Sequence, residues 1–235
     1  MLELTGLSRR FGGLTVIDDL ALRVQQGEIV GILGPNGAGK STLFNLIGGN
    51  LAPNAGHVVY EGRDITRMRV WDRARMGIGR TFQIPKPFMH MSVFENVLAA
   101  AVHGGKLSVA KATPRAAEVL ERTGLAHRST VQAGQLTLLD LKRLELAKAL
   151  AQAPKLLLLD EIAGGLSEAE CEELLAIVGG EHAAGTTIVW IEHVVLALRR
   201  LATRIDVLYG GRILVSGTPE QVLADQRVQE VYLGA

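Results

Sequence analysis

Hydrophobic residues along this chain follow two spacings, and the change from one to the other marks its elements. In residues 1–33 they alternate: Leu20, Leu22 and Val24 are separated by Ala21 and Arg23, and Phe11-Gly12-Gly13 and Gln25-Gln26-Gly27 interrupt the run. That pattern predicts short strands joined by turns. Glu28-Ile29-Val30-Gly31-Ile32-Leu33 is almost continuously apolar, as expected of a strand buried on both faces. Leu43, Leu46 and Ile47 then fall on one face of a helix, with Gly48-Gly49 as its stop. Gly56 to Arg63 predicts a further strand and turn, which suggests a small antiparallel sheet near the N-terminus.

From about residue 92 the pattern turns helical. Ser92-Val93-Phe94-Glu95 has the form of a capping box, Thr113-Pro114 predicts the start of a second helix that Gly124 ends, and Thr137 to Ala151 carries a strong apolar stripe. Leu156 to Leu159 and Thr187 to Ile191 read as buried parallel strands, separated by a helix near 168–178. Ile205 to Gly217 predicts a hairpin turning at Gly210-Gly211, and Thr218-Pro219-Glu220-Gln221 caps a final helix. This order predicts one α/β domain over residues 1–235. Its core, about 1–84 and 152–235, would hold a mainly parallel sheet and an N-terminal antiparallel β subdomain. An inserted α-helical subdomain would fill about 85–151.

Composition narrows the function classes. Twenty-five Lys and Arg against 24 Asp and Glu leave a formal charge of +1, which argues against a nucleic-acid partner. The single Cys171 excludes an internal disulfide framework. Glu3 and Arg9-Arg10 interrupt any leader-like run, and no stretch approaches the roughly 18 apolar residues of a membrane span. A cytosolic or peripheral location is expected. His57, His90, His103, His127 and His182 show no metal-ligand spacing.

The chemistry begins at Gly34-Pro35-Asn36-Gly37-Ala38-Gly39-Lys40-Ser41, followed by Thr42, which fits G-x-x-x-x-G-K-[ST] between a predicted strand and a predicted helix. Glycines let backbone N–H groups close around a phosphate, and the helix N-terminus adds favourable partial charge. Lys40 would reach the β- and γ-phosphates of a nucleotide, and the Ser41 hydroxyl would bind Mg²⁺. Leu156 to Leu159 ends in Asp160-Glu161. An apolar strand closing on two acids puts carboxylates at the sheet edge where ligands of α/β folds bind. There Asp160 would orient Mg²⁺ and Glu161 would polarise an attacking water.

With these, Gly77-Ile78-Gly79-Arg80-Thr81-Phe82-Gln83 and Ile188 to Ile191 followed by Glu192-His193 complete a set that resembles the ATP-binding cassette (ABC) ATPases. More narrowly the chain resembles the ATPase subunit of branched-chain amino acid importers. The strings are Phe11-Gly12-Gly13-Leu14, Gly34 to Thr42, Arg80 to Gln83, Val93 to Val97, Leu141 to Glu145 and Tyr232-Leu233-Gly234. The resemblance spans essentially the whole chain and implies an ATP hydrolase with ATP and Mg²⁺ as ligands. It implies that Phe11 stacks on adenine, against the alternative of a core Phe before a turn. It implies that Gln83 joins the Mg²⁺ shell and senses the γ-phosphate, and that His193 bonds the γ-phosphate and helps to hold Glu161 and its water. The implied partners are a second cassette, identical or not, membrane permease subunits and, indirectly, a solute-binding protein, with no nucleic acid. The implied place is the cytoplasmic side of the cell membrane. Residues from about 84 to 100 would receive a permease helix; Pro85, Pro87, Phe88, Met89 and Met91 suit such docking and equally suit packing within the chain.

Two stretches depart from the family pattern. A signature loop resembling L-S-G-G-Q, which grips the partner cassette's ATP, is replaced by Leu136-Thr137-Leu138-Leu139-Asp140. Leucine in place of glycine keeps backbone away from a phosphate, while Thr137 and Asp140 still form a plausible capping box. Ser167 stands where an aspartate is common. One reading is an asymmetric heterodimer with one stronger ATP site; the other is a tolerated variant with full activity. Alternatives for the whole chain are a non-transport cassette ATPase and a nucleotide-gated regulator with weak turnover.

Overall fold

Alternating burial begins with β1 (Leu2–Phe11), which pairs antiparallel with β2 (Leu14–Val24) from Leu2 opposite Val24 to Phe11 opposite Leu14. The structure, a computed structural model, describes residues 1–233; Gly234, in the closing string Tyr232-Leu233-Gly234, and Ala235 lie outside the described residues. Leu2, Leu4 and Leu7 of β1 and Ile17, Leu20, Leu22 and Val24 of β2 are all buried. Each such side chain contributes about 1.5–3 kcal/mol through burial. Next come β3 (Ile29–Leu33), α1 (Lys40–Gly48), β4 (Ala55–Tyr60) and β5 (Arg63–Asp64). The first sheet has the order β2-β1-β4-β5.

The chain continues through α2 (Val70–Arg75), β6 (Ile78–Arg80), α3 (Val93–His103), α4 (Val109–Arg122) and α5 (Leu138–Leu150). After them lie β7 (Leu156–Asp160), α6 (Glu168–Ala183), β8 (Thr187–Ile191) and α7 (Val195–Leu201). It finishes with β9 (Arg204–Tyr209), β10 (Arg212–Gly217), α8 (Pro219–Ala224) and α9 (Gln226–Leu233).

Two compact units emerge, one of Met1–Arg73 with Thr187–Ala235 and one of Ala74–Thr186. In the first, β3 is fully buried and runs parallel to both β8 and β9, with Ile29 opposite Ile188 and Val30 opposite Arg204, while β10 is antiparallel to β9. Arg73 fixes the end of α1: its Nη1 donates to the Leu46 and Ile47 carbonyls, both at 2.7 Å. A buried guanidinium there satisfies carbonyls that the helix itself leaves open. Burial lowers the Arg73 pKa to about 10.

In the second unit β6 and β7 run parallel, with Ile78 opposite Leu156 and Arg80 opposite Leu158. Helices α3, α4 and α5 bury Val93 and Val97, Val119 and Leu120, and Leu144 and Leu146. The architecture is the expected one: an antiparallel N-terminal sheet, a mainly parallel set of strands, and a helical insertion.

Local differences have physical causes. Helix α4 starts at Val109 behind Ser108, so Pro114 lies inside it rather than at its start. Buried Ala112, Ala116, Val119 and Leu120 hold the helix against the missing proline N–H. Helix α6 runs to Ala183, beyond the expected end near 178. The box at Thr218 and Gln221 forms, but its helix stops at Ala224 and α9 follows as a separate piece. At α5 only half of the expected box is made: Thr137 accepts from the Asp140 N–H at 3.2 Å. The Asp140 carboxylate instead meets Arg143 at 3.6 Å and Arg128 at 3.8 Å. Aspartate is one methylene shorter than the glutamate that usually closes such a box.

Candidate functional site

In the first unit, β3 delivers the chain into the glycine loop and α1 carries it away. Backbone crowding dictates two of the glycines. A Cβ on Gly34 would lie 2.3 Å from the Leu208 carbonyl oxygen, and one on Gly39 2.8 Å from that of Val16. Gly39 also has φ 104° and Gly37 φ 82°, left-handed conformations that other residues adopt only with strain. Gly39 is the N-cap of α1 and supplies no side-chain acceptor; the first turn holds no acid. The partial positive charge of the helix start is therefore not compensated by a carboxylate of that turn.

Lys40 is buried and folds across the loop, its Nζ donating to Gly34 O at 2.6 Å and to Pro35 O at 3.0 Å. Asn36, Gly37 and Ser41 are exposed, Pro35 and Thr42 half-buried, and Ala38 is buried. Phe11 is 43% exposed, which removes the core alternative, and the Arg9 guanidinium sits 4.6 Å from its ring centroid. His193 follows β8 and is exposed, and its backbone N–H donates to the buried Glu192 carboxylate at 3.0 Å.

In the second unit, β7 ends in the two acids and the segment leaving β6 fastens them. The Asp160 N–H donates to Thr81 Oγ1 at 3.1 Å, and Arg80 Nη2 donates to Asp160 Oδ2 at 3.1 Å. Gln83 Nε2 donates to the Glu161 carboxylate. Glu161 has φ 48°, and buried Lys142 donates to its carbonyl oxygen at 3.2 Å. A left-handed glutamate costs about 1 kcal/mol or more and persists only where its surroundings fix it. The structure thus brings together Gln83, Asp160 and Glu161, and adds Arg80, Thr81 and Lys142, to which sequence reasoning assigned no role. For Arg80 and Thr81 the signal was proximity: they lie three and two positions before Gln83, where the chain leaves β6, the strand paired with β7.

The segment after Gln83 is fixed but leaves apolar side chains outside. Glu145 accepts the Lys86 N–H at 3.0 Å, and Asn96 both accepts from the Phe88 N–H at 2.8 Å and donates to the Phe88 carbonyl at 3.1 Å. Ile84, Phe88 and Met89 remain exposed. At the start of α5, Leu138 is 47% exposed and Leu139 half-buried.

Ser41 hydroxyl, Gln83 amide and Asp160 carboxylate are hard oxygen donors of the kind Mg²⁺ takes. Among the described residues, no group of three or more His, Cys, Asp or Glu could hold a metal ion. Mg²⁺ is commonly held by one or two carboxylates together with phosphate oxygens and water.

Comparison with known proteins agrees with this chemistry. Residues 17–164 match the family model for the ABC transporter, and residues 212–235 match that for the branched-chain amino acid ATP-binding cassette transporter. The high-affinity branched-chain amino acid transport ATP-binding protein LivG of Salmonella typhimurium is 37% identical, over 100% of this chain and 98% of its own length. The lipopolysaccharide export system ATP-binding protein LptB of Acidithiobacillus ferridurans is 33% identical, over 100% of this chain and 97% of its own. A nucleotide-free ATP-binding cassette from an ABC transporter superposes with a TM-score of 0.92 at 29% identity, covering 100% of this chain and 99% of that one.

Proposed function

The chain belongs to the ABC transporter ATPases, within the branched-chain amino acid family, and from that premise we propose that it energises an importer of branched-chain or related amino acids. ATP binding and hydrolysis coupled to transport are the family's activity, and its members work with permease subunits and dimerise. The cargo, the import direction and the cytoplasmic face of the membrane are our reading, as are the partners: permease subunits, a second cassette and, indirectly, a solute-binding protein. Support for the cargo comes from the match of residues 212–235 and from the full-length likeness to LivG. No helix of the described residues is long and apolar enough to cross a membrane, so association would run through the permease. Ile84, Phe88 and Met89, exposed on a segment held by Glu145 and Asn96, are the apolar surface we assign to it.

In this reading the loop Gly34 to Thr42 holds the phosphates, Lys40 leaves the Gly34 and Pro35 carbonyls for the β- and γ-oxygens, and Phe11 stacks on the adenine. Ser41, Gln83 and Asp160 are the residues that would hold Mg²⁺, whose charge would offset that of the phosphates. Glu161 accepts a proton from the attacking water, and Gln83 and His193 report the γ-phosphate. The observation that carries the hydrolase assignment is the Gln83–Glu161 hydrogen bond beside the Arg80–Asp160 pair, which fixes both acids. Co-purification from native membranes tests the transport reading. A permease pair and a second cassette should be recovered, with ATPase activity in the assembly; recovery alone or with soluble partners would overturn it.

One observation favours a second cassette unlike this one. The first turn of α5 is capped by Thr137, carries Asp140 and exposes Leu138, so it is ill suited to a partner's phosphate. We assign to this chain a partner whose own signature retains glycines, giving one strong ATP site and one weak one.

A further inference from the structure

We propose that Arg80 is a positioning residue for the cation-binding carboxylate of Asp160. The inference rests on the ATP–Mg²⁺ reading above and extends it to a residue outside the proposed ligand set. Strand β6 sets Arg80 opposite Leu158 in parallel register, and from there its Nη2 donates to Asp160 Oδ2 at 3.1 Å. Both side chains are nearly enclosed, at 11% and 8% exposure.

Neighbouring contacts fix each partner from a second side. The Phe82 ring centroid lies 5.1 Å from the guanidinium carbon of Arg80, and Thr81 takes the Asp160 N–H at 3.1 Å. A planar guanidinium between a ring face and a carboxylate has little freedom to turn. One oxygen of Asp160 is thereby assigned to Arg80, which sets the plane in which the carboxylate can offer itself to a cation. Three residues within the four-residue stretch 80–83 thus orient both acids: Arg80 and Thr81 act on Asp160, and Gln83 on Glu161.

Fold stability alone gives a poor account of the pair. Removing two charges from water costs about as much as their attraction returns, and apolar residues of similar volume often serve a core equally well. Partners that hydrogen-bond a metal's ligands, in contrast, typically govern affinity by about 10–100-fold.

Mn²⁺ binding in the presence of a non-hydrolysable ATP analogue, read by electron paramagnetic resonance, provides the test, since it needs no turnover. Wild-type protein should bind Mn²⁺ with the analogue. Arg80→Gln should weaken Mn²⁺ by about 10–100-fold while analogue affinity in EDTA stays unchanged. Arg80→Lys, which keeps the charge but not the planar fork, should show an intermediate loss. Unchanged Mn²⁺ affinity in Arg80→Gln would overturn the inference and leave the ATP–Mg²⁺ reading standing, as would an equal loss of analogue affinity in EDTA, the mark of a structural role. If Arg80→Gln does not fold, Arg80→Lys decides alone: weakened Mn²⁺ binding with intact EDTA binding supports the inference, and wild-type Mn²⁺ affinity overturns it. Failure of the wild type to take up Mn²⁺ with the analogue would remove the metal reading and this inference together.

Discussion

Helix α1 begins at Lys40 behind Gly39, with φ 104° at the cap, no side-chain cap and no acid in its first turn. Helix α5 begins at Leu138 behind Thr137, whose hydroxyl takes the Asp140 N–H, and it carries Asp140 in that first turn. Every helix start presents roughly half a positive charge and several amides without intrahelical partners. At α5 the chain supplies its own oxygen and its own anion, and leaves Leu138 exposed in the first turn. At α1 it supplies a lysine instead, on a backbone that only glycine follows without strain. On the proposed reading, this difference is what would suit α1 to a phosphate: the usual cap is withheld as well as a cation added.

Holding the nucleotide and hydrolysing it fall to different elements, and substitutions separate the two. Glu161→Gln should reduce ATP turnover by about 10²–10⁴-fold while ATP stays bound, as read by phosphate release and by retained nucleotide. Lost binding would show that the acid, not the α1 loop, holds the ligand. Next in size is Lys40→Ala, for which turnover should fall on the order of 10²–10³-fold; wild-type turnover would break the assignment of α1. Gly39→Ala sets a Cβ 2.8 Å from the Val16 carbonyl oxygen at a strained φ, so thermal unfolding should report a loss of about 1–3 kcal/mol. An unchanged melting curve would mean that the loop tolerates what its geometry forbids. The smallest effect belongs to Thr137→Ala, about 1 kcal/mol in urea denaturation, with unaltered nucleotide affinity of the chain alone. Weaker nucleotide binding there would erase the distinction between the two helix starts.

Much of this was legible in sequence because local chemistry carried it. The glycine loop, β3 before it and α1 after it follow from apolar periodicity and glycine spacing, and Gly49 ends α1 at φ 85° as its position implied. The Ser92 and Thr218 boxes are formed as spacing suggested. What escaped was tertiary in origin. Helix α2 is six residues long and α7 seven, too short for a periodic signal. Pro114 misled because a local rule about helix starts yields to a buried face built from Ala112 to Leu120. Asp140 failed to close its box because Arg128, 12 positions earlier in sequence, and Arg143 compete for the carboxylate. Arg80 and Thr81 went without a role because their partner, Asp160, lies about eighty residues away.

On the proposed reading α1 serves ATP and α5 is unsuited to do so, and single-site blocks in the assembled transporter distinguish the two. ATP hydrolysis would be measured in the complex of this chain, its second cassette and the permease, with the catalytic glutamate changed to glutamine in one cassette at a time. Glu161→Gln should remove most of the turnover, and the block in the partner cassette should remove little. Equal losses from the two blocks, or full activity in an assembly of two copies of this chain, would contradict that reading.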